Sequence, residues 1–190
     1  MAKRRYLFVV SGPSAVGKSS VVEEIFKRDA SLKRIVTCTT RSPRGAEQHG
    51  VHYFFMDREE FAIHRENGDF IEFSEVYGNS YGVLFSSVSE GINDGETALF
   101  SINWEGFLKI KRAVGDCVYG FFLLPPSMEE LKLRMKKRNT DSPEIMAHRL
   151  EVARNDLDHS GEFDFCLMNK SIEETAENIL KQMNAIRQNV

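Results

Sequence analysis

A chain of 190 residues with 42% apolar content is long enough for one α/β core with small insertions and too short for two large domains. Its net charge of −3 excludes a broad electrostatic surface for nucleic acid or anionic membrane, so anion-binding groups must be gathered locally. No apolar run approaches ~18 residues, the start Met1-Ala2-Lys3-Arg4-Arg5 leads into a short strand, and Cys38, Cys117 and Cys166 lack metal or redox spacing; the expectation is a cytoplasmic protein with buried thiols and neither signal peptide nor membrane span.

The first predicted element is a buried strand over 6–11. It runs into Gly12-Pro13-Ser14-Ala15-Val16-Gly17-Lys18-Ser19, which has the spacing G-x-x-x-x-G-K-[ST]. Glycines permit the unusual dihedrals that let backbone N–H groups converge on a polyphosphate before the next helix begins. Lys18 adds a mobile positive charge, the Ser19 hydroxyl can ligate Mg²⁺, and the new helix directs its positive dipole end at the anion. Ser20-Val21-Val22-Glu23-Glu24-Ile25-Phe26 repeats apolar residues at helical spacing, as that motif requires.

From the first helix to residue 96 the character changes, with β-rich pieces at 51–55 and 69–73 and turns marked by Gly45, Gly68 and Gly78. This reads as an inserted lobe. Within it, Thr37-Cys38-Thr39-Thr40-Arg41-Ser42-Pro43-Arg44 sets two guanidinium groups beside several hydroxyls, followed by Tyr53 and Tyr81. Arginine forks match phosphate oxygens bidentately and tyrosine hydroxyls complete the shell, so a second phosphate can bind here, as in-line phosphoryl transfer between a donor and an acceptor needs. Further strands are predicted at 97–103, 118–124 and 164–168, alternating with helical segments and so implying a parallel sheet. Asp57 with Glu60, Ser127 with Glu130 and Ser171 with Glu174 read as capping boxes, and Pro143 as the first residue of a helix. Arg134, Lys136, Lys137 and Arg138 crowd one helix end, with Arg149 in the next helix.

Taken with Thr39-Thr40-Arg41-x-x-Arg44-x-x-Glu47, His52-Tyr53-Phe54-Phe55, Phe70-Ile71-Glu72, Gly78-Asn79-x-Tyr81-Gly82, Pro125-Pro126-Ser127 and Arg149-Leu150, the phosphate loop makes the chain resemble the guanylate kinase family over nearly its whole length. The resemblance implies a P-loop NTPase-type parallel sheet core flanked by helices, with a small β-rich monophosphate-binding insertion and a helical lid. In residues these are a core of 1–32, 86–126 and 158–190, a GMP-binding lobe of 33–85 and a lid of 127–157. It implies transfer of the γ-phosphoryl of ATP to GMP and dGMP with Mg²⁺, held at Ser19 with phosphates and waters. ATP would meet Gly12 through Ser20, Arg134, Arg138 and Asn169, with Lys18, Arg41, Arg138 and Arg149 as the catalytic charges. GMP would meet Thr37, Arg41, Arg44, Tyr53, Glu72, Tyr81, Val83 and Asn103. For Glu72 there is independent chemical sense, because a carboxylate accepts from guanine N1–H and the 2-amine together, a donor pair adenine lacks.

The chain departs from that family at Ser101 and Asn103, where aspartates are usual, and at Val83, where a serine or threonine often contacts the base. Ala15 and Asn139 stand where glycines are common. Two alternatives stay open on these grounds: a catalytically weak binding module of the same fold, and a kinase with altered monophosphate specificity. Neither nucleic acid nor membrane is expected as a partner, and monomer and homodimer are both left open.

Overall fold

The structure, a computed structural model, describes residues 5–76, 78–138 and 143–188, and the side chains of Asp94, Arg138 and Pro143 lie outside it. In chain order its elements begin with β1 (Tyr6–Ser11), α1 (Lys18–Arg28), β2 (Lys33–Arg34), β3 (Thr37–Thr39), β4 (Tyr53–Phe55), α2 (Arg58–Glu66), β5 (Phe70–Val76), β6 (Asn79–Leu84) and α3 (Phe85–Gly91). They continue with β7 (Thr97–Ser101), α4 (Trp104–Val114), β8 (Val118–Leu124), α5 (Met128–Arg138), α6 (Pro143–Asp158), β9 (Phe165–Met168) and α7 (Ile172–Gln188).

β1 is buried along its whole length because it is central in a five-stranded parallel sheet of order β2-β7-β1-β8-β9. Both faces of such a sheet are covered, so its strands read as continuous apolar runs. Alternate β1 residues feed two cores: Phe8 and Val10 pack with Val21 and Ile25 of α1 and Ile179 of α7, while Leu7 and Val9 pack with Phe107 and Ile110 of α4. A second sheet, of order β4-β3-β6-β5, joins β3 to β4 in parallel and to β6 antiparallel, and packs a small core of Cys38, Phe61 and Phe70 against α2.

The expected helix starts are present. Asp57 accepts from the Glu60 N–H at 2.8 Å, Ser127 from Glu130 at 3.1 Å and Ser171 from Glu174 at 3.3 Å. α6 begins at Pro143. The seventh strand stops at Ser101 instead of reaching 103, because Asn103 turns to cap α4 and accepts from the Gly106 N–H at 3.0 Å. β2 lies in the core sheet beside β7, so the second sheet starts only at Thr37. The cysteines correct the expectation of uniformly buried thiols: all are free, but only Cys38 is buried, Cys117 is half-buried and Cys166 is exposed. Burial pushes the Cys38 thiol up to about 12, so it behaves as a small core residue. No helix among the described residues is long and apolar enough to cross a membrane.

Candidate active site between the two sheets

The phosphate loop leaves β1 at its carboxyl end and winds through positive φ at Gly12, Ala15 and Gly17. Both glycines are required by close approach as well. A Cβ on Gly12 would lie 2.5 Å from the Leu123 carbonyl oxygen, and one on Gly17 would lie 2.5 Å from Asn169 Nδ2. α1 starts at Lys18 with no side-chain cap and no acidic residue in its first turn, so its leading N–H groups face an anion unopposed. The Lys18 ammonium folds over the loop and donates to the carbonyls of Gly12 at 2.5 Å and Pro13 at 3.0 Å.

Side chains distant in sequence hold that loop. Asn169, 2% exposed at the end of β9, donates from Nδ2 to the Val16 carbonyl at 2.8 Å and accepts on Oδ1 from Thr175 of α7 at 2.9 Å. Arg134 of α5 donates to the Val16 and Asn169 carbonyls, both at 3.2 Å, and Arg149 of α6 donates to the Ser14 hydroxyl at 2.9 Å. Ala15, Gly17, Ser20, Arg134, Asn169 and Ile172 share an open cavity of about 530 Å³. The structure thus brings Arg134, Arg149 and Asn169 to the loop, while the Arg138 side chain is outside the described residues. Nothing in sequence spacing marked Lys170 through Glu173 as walls of the same cavity. Asp156 of α6 also went unread: burial pushes its carboxyl up, against the pull of the Lys18 charge and a hydrogen bond from Trp104.

In the second sheet Arg41 is only 9% exposed and grips Glu47 with both nitrogens, at 3.0 and 3.1 Å. Burial alone would lower its pKa, but the Glu47 carboxylate outweighs this and raises it. Burial acts against the Glu47 carboxylate too, yet the Arg41 guanidinium and the Arg44 N–H, 2.8 Å away, bring it below the usual carboxylate range. The Arg41 guanidinium lies 5.4 Å from the Tyr53 ring centre, and the Tyr53 and Tyr81 rings are 6.3 Å apart. Burial raises the Tyr53 hydroxyl, which keeps it a proton-bearing donor at neutral pH. The Arg44 side chain is exposed.

Glu72 of β5 is buried and accepts from the Lys109 ammonium of α4 at 2.9 Å. Its cross-strand partner is Val83, also buried, while Asn103 is engaged as the α4 cap. No spacing in the sequence marks Lys109, and Glu47 stands out there only as part of a pattern. Both become visible through distances that spacing does not reveal.

The two halves meet. A narrow cavity of about 50 Å³ is walled by Ser19 and Ser101 from the core and by Thr37, Glu47 and Tyr53 from the second sheet. Ser19, at the end of the phosphate loop, and Tyr53 with Glu47, the partner of Arg41, therefore line one cavity. Comparison with known proteins shows the family. A family model described as guanylate kinase matches residues 4–186. The chain is 36% identical over 185 residues to a guanylate kinase of Granulibacter bethesdensis, covering 97% of this chain and 86% of that one. It is 40% identical over 167 residues to a guanylate kinase of a Polaromonas species, covering 88% and 81%. The crystal structure of guanylate kinase from Anaplasma phagocytophilum superposes with a TM-score of 0.81 at 31% identity, covering 100% of this chain and 90% of that one. A phosphate loop, an arginine-tyrosine cluster in the second sheet's lobe and a family match over residues 4–186 lead to one statement: the chain belongs to the guanylate kinase family.

Proposed function

We propose that this chain transfers the γ-phosphoryl group of ATP to GMP, and to dGMP, giving ADP and the guanosine diphosphate by direct in-line displacement. The observation that carries the reading is the cavity shared by Ser19 and Ser101 on one wall and Thr37, Glu47 and Tyr53 on the other. Gly12 through Ser20 cradle the ATP phosphates, Arg134 and Asn169 border the base, and Lys18, Arg138 and Arg149 offset the charge that spreads over the transferring group. Arg41, Arg44, Tyr53, Tyr81 and Thr37 hold the GMP phosphate, which is already ionised and needs no general base to attack. Glu72 reads the guanine, with Val83 and Asn103 beside it, and the α5–α6 pair acts as the lid that excludes water.

A magnesium ion fits the donors present, since the exposed Ser19 hydroxyl is a hard oxygen ligand at the cleft. Among the described residues no group of three or more His, Cys, Asp or Glu side chains could hold a metal alone, so the ion would draw its remaining ligands from phosphate oxygens and waters. Bound there, the ion neutralises phosphate charge. Ser101 keeps a hydroxyl at the strand end but supplies no carboxylate to organise that shell, which slows transfer without abolishing it. Three free cysteines suit a reducing compartment, and we place the protein in the cytoplasm.

A coupled assay of ADP release with ATP, Mg²⁺ and GMP, dGMP, AMP, UMP or IMP in turn tests the reading. GMP and dGMP should support turnover and AMP and UMP should not. No ADP at saturating GMP would overturn it.

A further inference from the structure

We propose that Lys109 is a specificity-determining residue that donates to guanine O6, so that Lys109 and Glu72 together read the whole Watson–Crick edge of the acceptor base. The inference rests on Glu72 as the guanine reader. It starts from an asymmetric pair: the Glu72 side chain is 2% exposed, the Lys109 side chain is 51% exposed, and the two are 2.9 Å apart. An ammonium carries three N–H donors, and the contact with Glu72 engages one of them. The others project from a half-exposed side chain beside a carboxylate that itself faces the base.

The edge of guanine presents two donors, N1–H and the 2-amine, next to one acceptor, O6. A carboxylate flanked by an ammonium is its complement, group for group. Adenine reverses both contacts, setting the bare N1 against the carboxylate and an amino group against the ammonium, so each mismatch leaves a polar group without a partner. Lys109 is the charged donor that the structure sets in contact with Glu72. Val83, directly across the sheet from Glu72, is apolar, and Asn103 is held as the cap of α4 through its carbonyl oxygen, which accepts from the Gly106 N–H. Lys109 reaches the base from α4 in the core, whereas Glu72 lies in the second sheet, so the pair also sets the base in register between the two bodies.

The test compares GMP, 6-thio-GMP and IMP as acceptors for the parent protein and for Lys109→Met, Lys109→Arg and Glu72→Gln. Sulfur at position 6 is a weak acceptor, while N1–H and the 2-amine are retained; IMP keeps O6 and lacks the 2-amine. The parent should favour GMP over 6-thio-GMP by about tenfold in kcat/KM, through KM, and Lys109→Met should erase that preference while raising the GMP KM about tenfold. Lys109→Arg, which keeps a charged donor, should restore it. A GMP KM in Lys109→Met that is unchanged or lower, or a preference that survives, overturns the proposal and leaves Lys109 as a counter-charge only. If Lys109→Met does not fold, Lys109→Gln supplies the same ratio. Failure of the Glu72 reading shows separately, as an IMP-to-GMP ratio that Glu72→Gln leaves unmoved.

Discussion

Arg41 and Glu47 show how a single pair of side chains prepares a phosphate site. An almost buried guanidinium needs a partner, and Glu47 provides one in the absence of ligand while fixing the fork's plane. Arg41→Met should raise the KM for GMP about 100-fold with a much smaller effect on the KM for ATP, as measured by initial rates with each nucleotide varied. Because Glu47 titrates below its ordinary 4.5, its contribution to stability is present above that value and is lost as pH falls through the depressed folded value. A Glu47→Gln protein should accordingly melt lower than the parent at pH 7, with the gap closing in acid. Asp156 has the opposite sign. Its raised carboxyl disfavours the folded state once ionised, so Asp156→Asn should melt higher at neutral pH, the difference vanishing below the ordinary 3.8. The arginines and Glu72 were legible in the sequence because they belong to short patterns. Lys109 was not, since it meets Glu72 across 37 positions of chain, and no periodicity encodes that meeting.

At the scale of elements, the strands and helix starts that could be read are those whose signal is local. β1 and β8 are dominated by apolar residues, and the cap residues precede their glutamates at fixed spacing. β2 and β3 escaped because they have only 2 and 3 residues and are polar, too short for any alternation to show. β7 was read two residues too long because Asn103, apparently a strand end, instead caps α4. Packing of these elements can be probed at Gly120 of β8, where an added Cβ would meet Phe107 at 2.4 Å and Phe163 at 2.6 Å. Those rings stack 4.1 Å apart and are held by the core. Gly120→Ala should cost about 1–3 kcal/mol, read as a melting temperature lower by several degrees with the nucleotide KM values little changed.

For the whole molecule, the chain builds two sheets with different topologies, one parallel and one mixed, and residues of both bodies line the cavity that holds Ser19, Thr37 and Tyr53. A ligand that spans both should hold them together. A bisubstrate analogue joining adenosine to guanosine through a polyphosphate, at 100 times its Kd, should add about 2.7 kcal/mol of stability, and more than ATP or GMP alone at equal concentration, by thermal melting with Mg²⁺. The Asn169 anchor has a wider reach than its position implies. Through Thr175 it belongs as much to the last helix as to the first turn of the fold, and Arg187 near the end of that helix pairs with Asp29 at the end of α1, 3.2 Å away. The opening and closing stretches of the polypeptide are therefore fastened at both ends of α1. A chain cut back before Thr175 would lose Ala176, Ile179 and Met183 from the core together with the Asn169 anchor, so it should melt at a lower temperature as well as hold triphosphate less tightly.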